Sequence, residues 1–240
     1  MRWLRTFSRL AAGLASVHLV ADTVPFTPPF TRERWVSAGA GVSVVYALVF
    51  LIPKLVGIQE GFDLFAPFGD ATVYALVFVG LTCFFALEKL GRIARTRQVT
   101  VGHEDVTEDP VFWVHVSAFA GYNTVIGYAL VDGVLLDDPL PFAIAMGLHL
   151  FGLDEGLRFH HAEAYHLLGR WILGGAVIVG ALVAIVFSLD VTIQLWLLSV
   201  LAGGVIFNAI KEELPEDRES SFWAFLLGAL VFVGVMWLLS

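Results

Sequence analysis

The densest group of chemically reactive side chains lies in the run HLFGLDEGLRFHHAEAYH, residues 149–166. Imidazole and carboxylate groups are ligands that divalent transition metals prefer. If this run crosses a membrane, an Asp at its centre costs about 2.5 kcal/mol to insert, so ionisable residues there usually serve a site or a pathway. His149 is flanked by apolar sequence, and Asp154 and Glu155 follow one to two turns later. His149 is therefore a candidate ligand, or else a hydrogen-bond partner of a neighbouring helix.

Helix geometry separates this run into two possible sites. A rise of about 1.5 Å per residue puts His149 about 16 Å from His160, so one ion cannot bind both. His160, Glu163 and His166 are spaced i, i+3 and i+6 and would converge on a second metal site if the helix continues. The alternative for these three residues is a polar helix end, with the histidines at the level of the lipid headgroups.

The composition of the chain indicates an integral membrane protein. Hydrophobic residues make up 58% of its 240 residues, charged residues make up only 15%, and the mean hydropathy is +0.81. A soluble fold of this length cannot hide so much apolar surface. Seven apolar runs are long enough to cross a bilayer of about 30 Å. These runs are 36–58, 71–89, 112–132, 139–159, 168–188, 192–212 and 221–239.

An eighth helix is expected over residues 3–22, either as a further span or as an amphipathic helix in the membrane interface. Cytoplasmic loops carry an excess of Lys and Arg. With eight spans, ten of the 14 Lys and Arg residues lie on one side of the membrane and four lie on the other. With seven spans the division is thirteen against one, and this stronger asymmetry favours an interfacial first helix. The C-terminus is predicted to lie outside in either case. The expected location is a prokaryotic cytoplasmic membrane.

Residues 90–111 are predicted to form the one long cytoplasmic loop. His103, Glu104 and Asp105 in this loop could catch a metal ion, although a solvated polar linker explains the same residues. The basic stretch 92–97 is short and the net charge is -8, so nucleic-acid binding is not expected. The sequence carries no phosphate-binding loop, paired cysteines or nucleophile elbow, and we therefore expect no enzymatic activity.

Two segments of the chain are similar to each other. The pairs Ala40-Gly41 and Ala202-Gly203 each have their glycine twelve residues before a proline, Pro53 and Pro215, at the polar end of an apolar helix. Duplicated helical units in a membrane protein are a common way of building a transporter with its site near the bilayer midplane.

These two segments and a third one resemble helices of the ZIP metal-ion transporters. AGAGVSVVYALVFLIPKL is similar to the second helix of that family, VYALVFVGLTCFFALEKL to the third, and LAGGVIFNAIKEELPED to the seventh. The resemblance implies an all-α, polytopic transmembrane bundle of seven to eight spans with a 3+2+3 inverted repeat. The single transmembrane domain would then comprise a first half at 36–89, a central helix pair at 112–160 and a second half at 168–239.

The metal motifs of that family are incomplete in this chain. Its fourth helix carries His-Asn-x-x-Asp-Gly, whereas this chain reads Tyr122-Asn123-Thr124-Val125-Ile126-Gly127. Its fifth helix carries His-Glu-x-x-His-Glu or a relative ending in Glu-Gly. Matching the first histidine selects His149 and Asp154, and matching the Glu-Gly selects Glu155 and Gly156.

The resemblance implies transport or binding of a divalent metal ion, zinc among the candidates, at His149, Asp154, Glu155 and Asn123. Tyr122 and Asn208 are candidate polar residues of the pathway, although Asn123 could equally serve as an interhelical hydrogen-bond partner. One alternative is a scaffold or sensor that keeps the fold and has lost transport. Another is a membrane subunit that binds haem or iron through the 160–166 group. The expected partners are the lipid bilayer and the metal ion, and two copies of the chain could form a homodimer.

Overall fold

The chain is almost entirely helical in the part that the computed structural model describes. That part comprises residues 2–21, 23–24, 26–28, 31–62, 64–101, 110–132, 139–160, 162–213 and 221–239. It forms eight helices, which are α1 (Arg2–Val20), α2 (Arg32–Gly61), α3 (Thr72–Val101), α4 (Pro110–Asp132), α5 (Pro139–His160), α6 (Tyr165–Val186), α7 (Val191–Glu213) and α8 (Phe222–Leu239). The prediction of an all-α bundle is confirmed for these residues.

Six of these helices, α2 to α7, are long and apolar enough to cross a membrane. Two shorter apolar helices, Phe7–Val20 and Phe222–Leu238, accompany them. The surface also exposes many large apolar side chains, such as Phe78, Leu182 and Trp237. A soluble protein rarely exposes so much continuous apolar surface. The chain therefore has the character of an integral membrane protein, as its composition predicted.

Several helix boundaries follow directly from the sequence. Pro110 and Pro139 stand at the first positions of α4 and α5, where the missing N–H of proline costs nothing. Asp190 precedes α7 and accepts a hydrogen bond from the backbone N–H of Thr192 at 2.8 Å. Inside α2, a π-helical turn at Tyr46–Leu51 comes just before Pro53. A proline inside a helix removes a backbone hydrogen bond, and a local π-turn is one way for the chain to accommodate it.

The prediction of a loop from residue 90 is wrong at its start, because α3 continues as a helix to Val101. The predicted loop begins where the apolar pattern of the sequence ends, near Leu90. A helix that has left the apolar layer needs no apolar face, so hydropathy does not mark its true end. The candidate metal residues His103, Glu104 and Asp105 lie outside the described residues.

Both Ala-Gly pairs of the sequence repeat lie at close helix crossings. A Cβ atom added at Gly41 of α2 would overlap the carbonyl oxygen of Phe225 in α8. A Cβ atom added at Gly203 of α7 would overlap the carbonyl oxygen of Val77 in α3. Only glycine permits backbones to approach so closely, as is common between membrane helices.

The packing places four helices around the most polar part of the core. α1 packs against α4, α5 and α6, and α4 packs most extensively against α6. α2 packs against α8, α5 and α7, while α3 packs mainly against α7. The buried polar side chains of α1, α4 and α5 therefore meet one another.

Candidate functional site

Three polar side chains from three different helices meet in the core. His18 of α1, Asn123 of α4 and Asp154 of α5 are 1%, 0% and 2% exposed. His18 Nδ1 lies 2.8 Å and 2.9 Å from the two carboxylate oxygens of Asp154. His18 Nε2 lies 3.1 Å from Asn123 Oδ1. We refer to these three residues as the core polar cluster.

The hydrogen bonds of Asn123 determine where the protons of His18 lie. Asn123 Nδ2 donates to the backbone carbonyl oxygen of Phe119 at 2.8 Å, so its Oδ1 is the atom that faces His18. An amide oxygen only accepts, and His18 Nε2 must therefore carry a hydrogen. A second proton is shared between His18 Nδ1 and the carboxyl group of Asp154. The pair is electrically neutral wherever this proton sits, which is why two ionisable groups can stay buried together.

A second polar contact joins α4 and α5. Tyr122 Oη and His149 Nε2 share a hydrogen bond of 2.9 Å, and both side chains are buried. Their rings also pack against each other, with the ring centroids 5.7 Å apart. His149 therefore contacts Tyr122, whereas Asp154, five residues further along α5, contacts His18.

Asn208 of α7 lies close to His149 across a very small cavity. The cavity has a volume of about 10 Å³ and is lined by His149, Asn208 and apolar residues of α2 and α5. Asn208 is 2% exposed and its Nδ2 donates to the carbonyl oxygen of Gly204 at 3.0 Å. A space of this size holds about one water molecule.

Glu155 lies next to the core polar cluster and is held by two arginines. Arg32 Nε donates to one of its carboxylate oxygens, and Arg158 donates to the other at 2.5 Å. Arg32 also donates to the carbonyl oxygen of Ala21 at 2.5 Å. Its guanidinium group lies 5.3 Å from the ring centroid of Phe26 and 5.5 Å from that of Phe151. The charge of Glu155 is thus already balanced by protein groups.

The four residues predicted as metal ligands are divided among three sets of contacts. Asn123 and Asp154 meet through His18, His149 meets Tyr122, and Glu155 meets the two arginines. Among the described residues, no group of three or more His, Cys, Asp or Glu side chains could hold one metal ion. In the core polar cluster, Asp154 and Asn123 contact different nitrogens of the His18 ring.

Of the second predicted group, the side chain of His160 lies outside the described residues. The helical residues Ala162–Ala164 lead directly into the π-helical turn at Tyr165–Gly169 that begins α6. Glu163 is exposed. His166 is half-buried in the π-helical turn Tyr165–Gly169, with its ring packed against Tyr165. A metal site formed by these three residues therefore stays a prediction.

His18 is not among the predicted metal ligands, and the structure puts it at the centre of the cluster. His18 is the one ionisable side chain between Arg9 and Asp22. A histidine inside an apolar segment is by itself a signal of a buried polar contact. Its hydrogen-bond partners are more than 100 positions away in the sequence. The sequence alone does not predict these contacts.

No protein-family model matches this chain. No curated protein matches its sequence either.

Proposed function

We propose that this chain is an integral membrane protein that binds a divalent metal cation at His18, Asn123 and Asp154 and carries it across the bilayer. In a buried position one imidazole, from α1, contacts a carboxylate from α5 and an amide oxygen from α4, each through a different ring nitrogen. Imidazole and carboxylate are ligands of zinc and related first-row metals. This buried contact among groups from three helices is the observation that supports the proposal best, and binding of one ion by all three would require the His18 ring to turn.

The position of His18 also bears on the resemblance to the ZIP transporters. The fourth-helix motif of that family begins with a histidine, and this chain has Tyr122 there. His18 brings an imidazole from α1 to within 3.1 Å of Asn123, the next residue of the motif. The proposal is that the donor lost from the fourth helix is replaced by one from the first helix.

The proposed 3+2+3 inverted repeat is supported by the two glycine crossings. In the first half the second helix, α2, meets α8 at Gly41, and in the second half the equivalent helix, α7, meets α3 at Gly203. Each half thus presents its glycine to the third helix of the other half. An exchange of this kind is what a two-fold relation between the halves requires.

Alternating access would arise from movement of one group of helices against another. α1, α4 and α5 carry the core polar cluster and pack against one another, and α6 packs against α1 and α4. Tyr165 of α6 adds a hydrogen bond from its hydroxyl to the carbonyl oxygen of His18, at 3.4 Å. These four helices would move together and take the bound cation with them.

The proposal is tested with purified protein, by calorimetric titration with Zn²⁺ and by Zn²⁺ uptake into proteoliposomes. We expect wild-type protein to bind and transport the ion, and His18→Ala and Asp154→Asn to weaken binding at least about tenfold, or ~1.4 kcal/mol. Asp70→Asn, which removes an exposed carboxylate outside both predicted groups, is the matched control and should bind as the wild type does. The absence of both binding and uptake in folded wild-type protein would refute the proposal, as would binding that His18→Ala leaves intact.

A second candidate, a scaffold or sensor of the same fold without transport, is favoured by one observation. His18, Asn123 and Asp154 satisfy one another fully by hydrogen bonds. In this case the cluster would only hold α1, α4 and α5 together. The same substitutions would then lower the thermal stability of the protein without any effect of Zn²⁺ on wild type.

A further inference from the structure

A long apolar groove runs along the outside of the bundle between α1 and α5. Its volume is about 530 Å³, and apart from Arg9 its lining side chains are apolar. On α1 the lining runs from Arg9 to Val20, and on α5 it runs from Leu140 to Phe151. The groove is therefore elongated along the two helices.

The length of the groove corresponds to the depth of one leaflet of a bilayer. On each helix the last lining position is eleven positions after the first, which at ~1.5 Å per residue amounts to about 17 Å. Half of a hydrocarbon layer that is about 30 Å thick is close to this length. A single extended acyl chain would fill such a groove from end to end.

Small residues form the floor of the groove. A Cβ atom added at Gly13 would meet no other atom within 4 Å, so the space above this glycine is open. A Cβ atom added at Gly147 would come only as near as 3.4 Å to Leu14 Cδ2. A larger side chain at Gly13 would thus project into the groove without disturbing the packing of the helices.

The two ends of the groove differ in chemistry. Arg9, which is exposed, is the one charged residue among the described lining residues and stands at one end. The aromatic residues Phe26, Trp35 and Phe151 stand at the other end. At that end the guanidinium of Arg32, which does not line the groove, lies over Phe26 and Phe151 and is already paired with Glu155. Of the two ends, only that of Arg9 therefore offers a guanidinium in the lining itself, and a guanidinium binds phosphate well.

We propose that this groove binds one phospholipid, with an acyl chain between α1 and α5 and the phosphate group at Arg9. The charge distribution supports a lipid over a second copy of this chain. A two-fold interface would bring Arg9 of each copy to the same surface patch, and the described lining offers no carboxylate to neutralise it. A phosphate diester supplies the missing negative charge.

The experiment is native mass spectrometry of the full chain in mild detergent, with added palmitoyl-oleoyl phosphatidylglycerol or palmitoyl-oleoyl phosphatidylcholine. We expect wild-type protein to retain one lipid per chain. Gly13→Phe, which fills the groove, should reduce this retention about tenfold. Gly175→Phe on the exposed face of α6 is the matched control, because a Cβ there also meets no atom within 4 Å. This control should retain lipid as the wild type does.

Two further arms keep the test decisive. Arg9→Gln should weaken retention of both lipids, because both carry the phosphate group that Arg9 would bind. In a variant with Trp35 as its only tryptophan, a lipid brominated near the end of its acyl chain should quench the fluorescence at low lipid-to-detergent ratio, and Gly13→Phe should abolish this quenching. Equal lipid retention in Gly13→Phe and wild type would overturn the proposal. A lipid-free dimer that Gly13→Phe dissociates would overturn it too, and would make the groove an interface between copies.

Discussion

His18 and Asp154 form a buried pair in which one imidazole nitrogen faces both oxygens of one carboxylate, at 2.8 Å and 2.9 Å. The two residues are 136 positions apart and belong to α1 and α5. Each side chain is the hydrogen-bond partner of the other at a buried position, where either one without its partner would destabilise the fold. The pair therefore fastens the N-terminal helix to the centre of the bundle.

Replacing one member of this pair should destabilise the protein strongly. Asp154→Ala leaves His18 with an unpaired buried nitrogen, and losing one partner of a buried pair costs about 3–5 kcal/mol. His18→Ala leaves the carboxylate unpaired and should cost a similar amount. Thermal unfolding in detergent, followed by circular dichroism, measures both effects.

The double variant His18→Ala/Asp154→Ala provides the control. Its loss of stability should be smaller than the sum of the two single losses, because both members of the ion pair are removed together and neither is left buried without the other. Additive losses would show that the two side chains do not interact in the folded protein.

The glycine crossings predict opposite effects of the same substitution at two positions. Gly203→Ala places a methyl group against the carbonyl of Val77 and forces α7 away from α3, with an expected cost of about 1–3 kcal/mol. At Gly234 of α8 a Cβ would meet no atom within 4 Å, so Gly234→Ala should be neutral or slightly stabilising. Denaturation with sodium dodecyl sulfate would compare the two, and equal effects would contradict the close crossing.

The sequence predicted the helices well because long apolar runs report directly on membrane-spanning segments. The proline-marked starts of α4 and α5 and the glycine pairs of α2 and α7 were also visible in it. The end of α3 was not, because hydropathy stops reporting on a helix where it leaves the apolar layer. Only part of the core polar cluster could be predicted from the sequence. Asn123 and Asp154 match motif positions of the ZIP transporters, whereas the role of His18 depends on tertiary contacts between distant residues.

Asp190 caps the N-terminus of α7 and should make the stability of the protein depend on pH. Hydrogen bonds from the hydroxyl and the backbone N–H of Thr192 lower the pKa of Asp190 below its usual value of 3.8. A carboxyl group with a lowered pKa stabilises the fold above its unfolded pKa, and this contribution disappears as the pH falls through the folded pKa. The melting temperature of wild type should thus exceed that of Asp190→Ala at pH 7, and the difference should shrink towards pH 3. A difference independent of pH would contradict the cap.

Arg32 should resist conservative replacement. Its guanidinium donates to Glu155 and to the carbonyl of Ala21 while its face contacts two aromatic rings, and the compact ammonium of lysine cannot do all of this at once. Arg32→Lys should therefore lower stability by about 1 kcal/mol. Arg34→Lys, at an exposed position of the same helix, should have little effect. Similar melting temperatures for the two variants would show that the stacking geometry contributes nothing.

The contact between Tyr122 and His149 separates two possible ligand sets. If the cation binds at the core polar cluster, His149→Ala should leave the Zn²⁺ dissociation constant nearly unchanged, because His149 contacts Tyr122 and not Asp154. Tyr122→Phe should then cost only the stability of one hydrogen bond between membrane helices, on average about 0.6 kcal/mol. Calorimetric titration of both variants beside His18→Ala makes the comparison. Loss of binding in His149→Ala with binding intact in His18→Ala would instead favour the ligand set suggested by the fifth-helix motif.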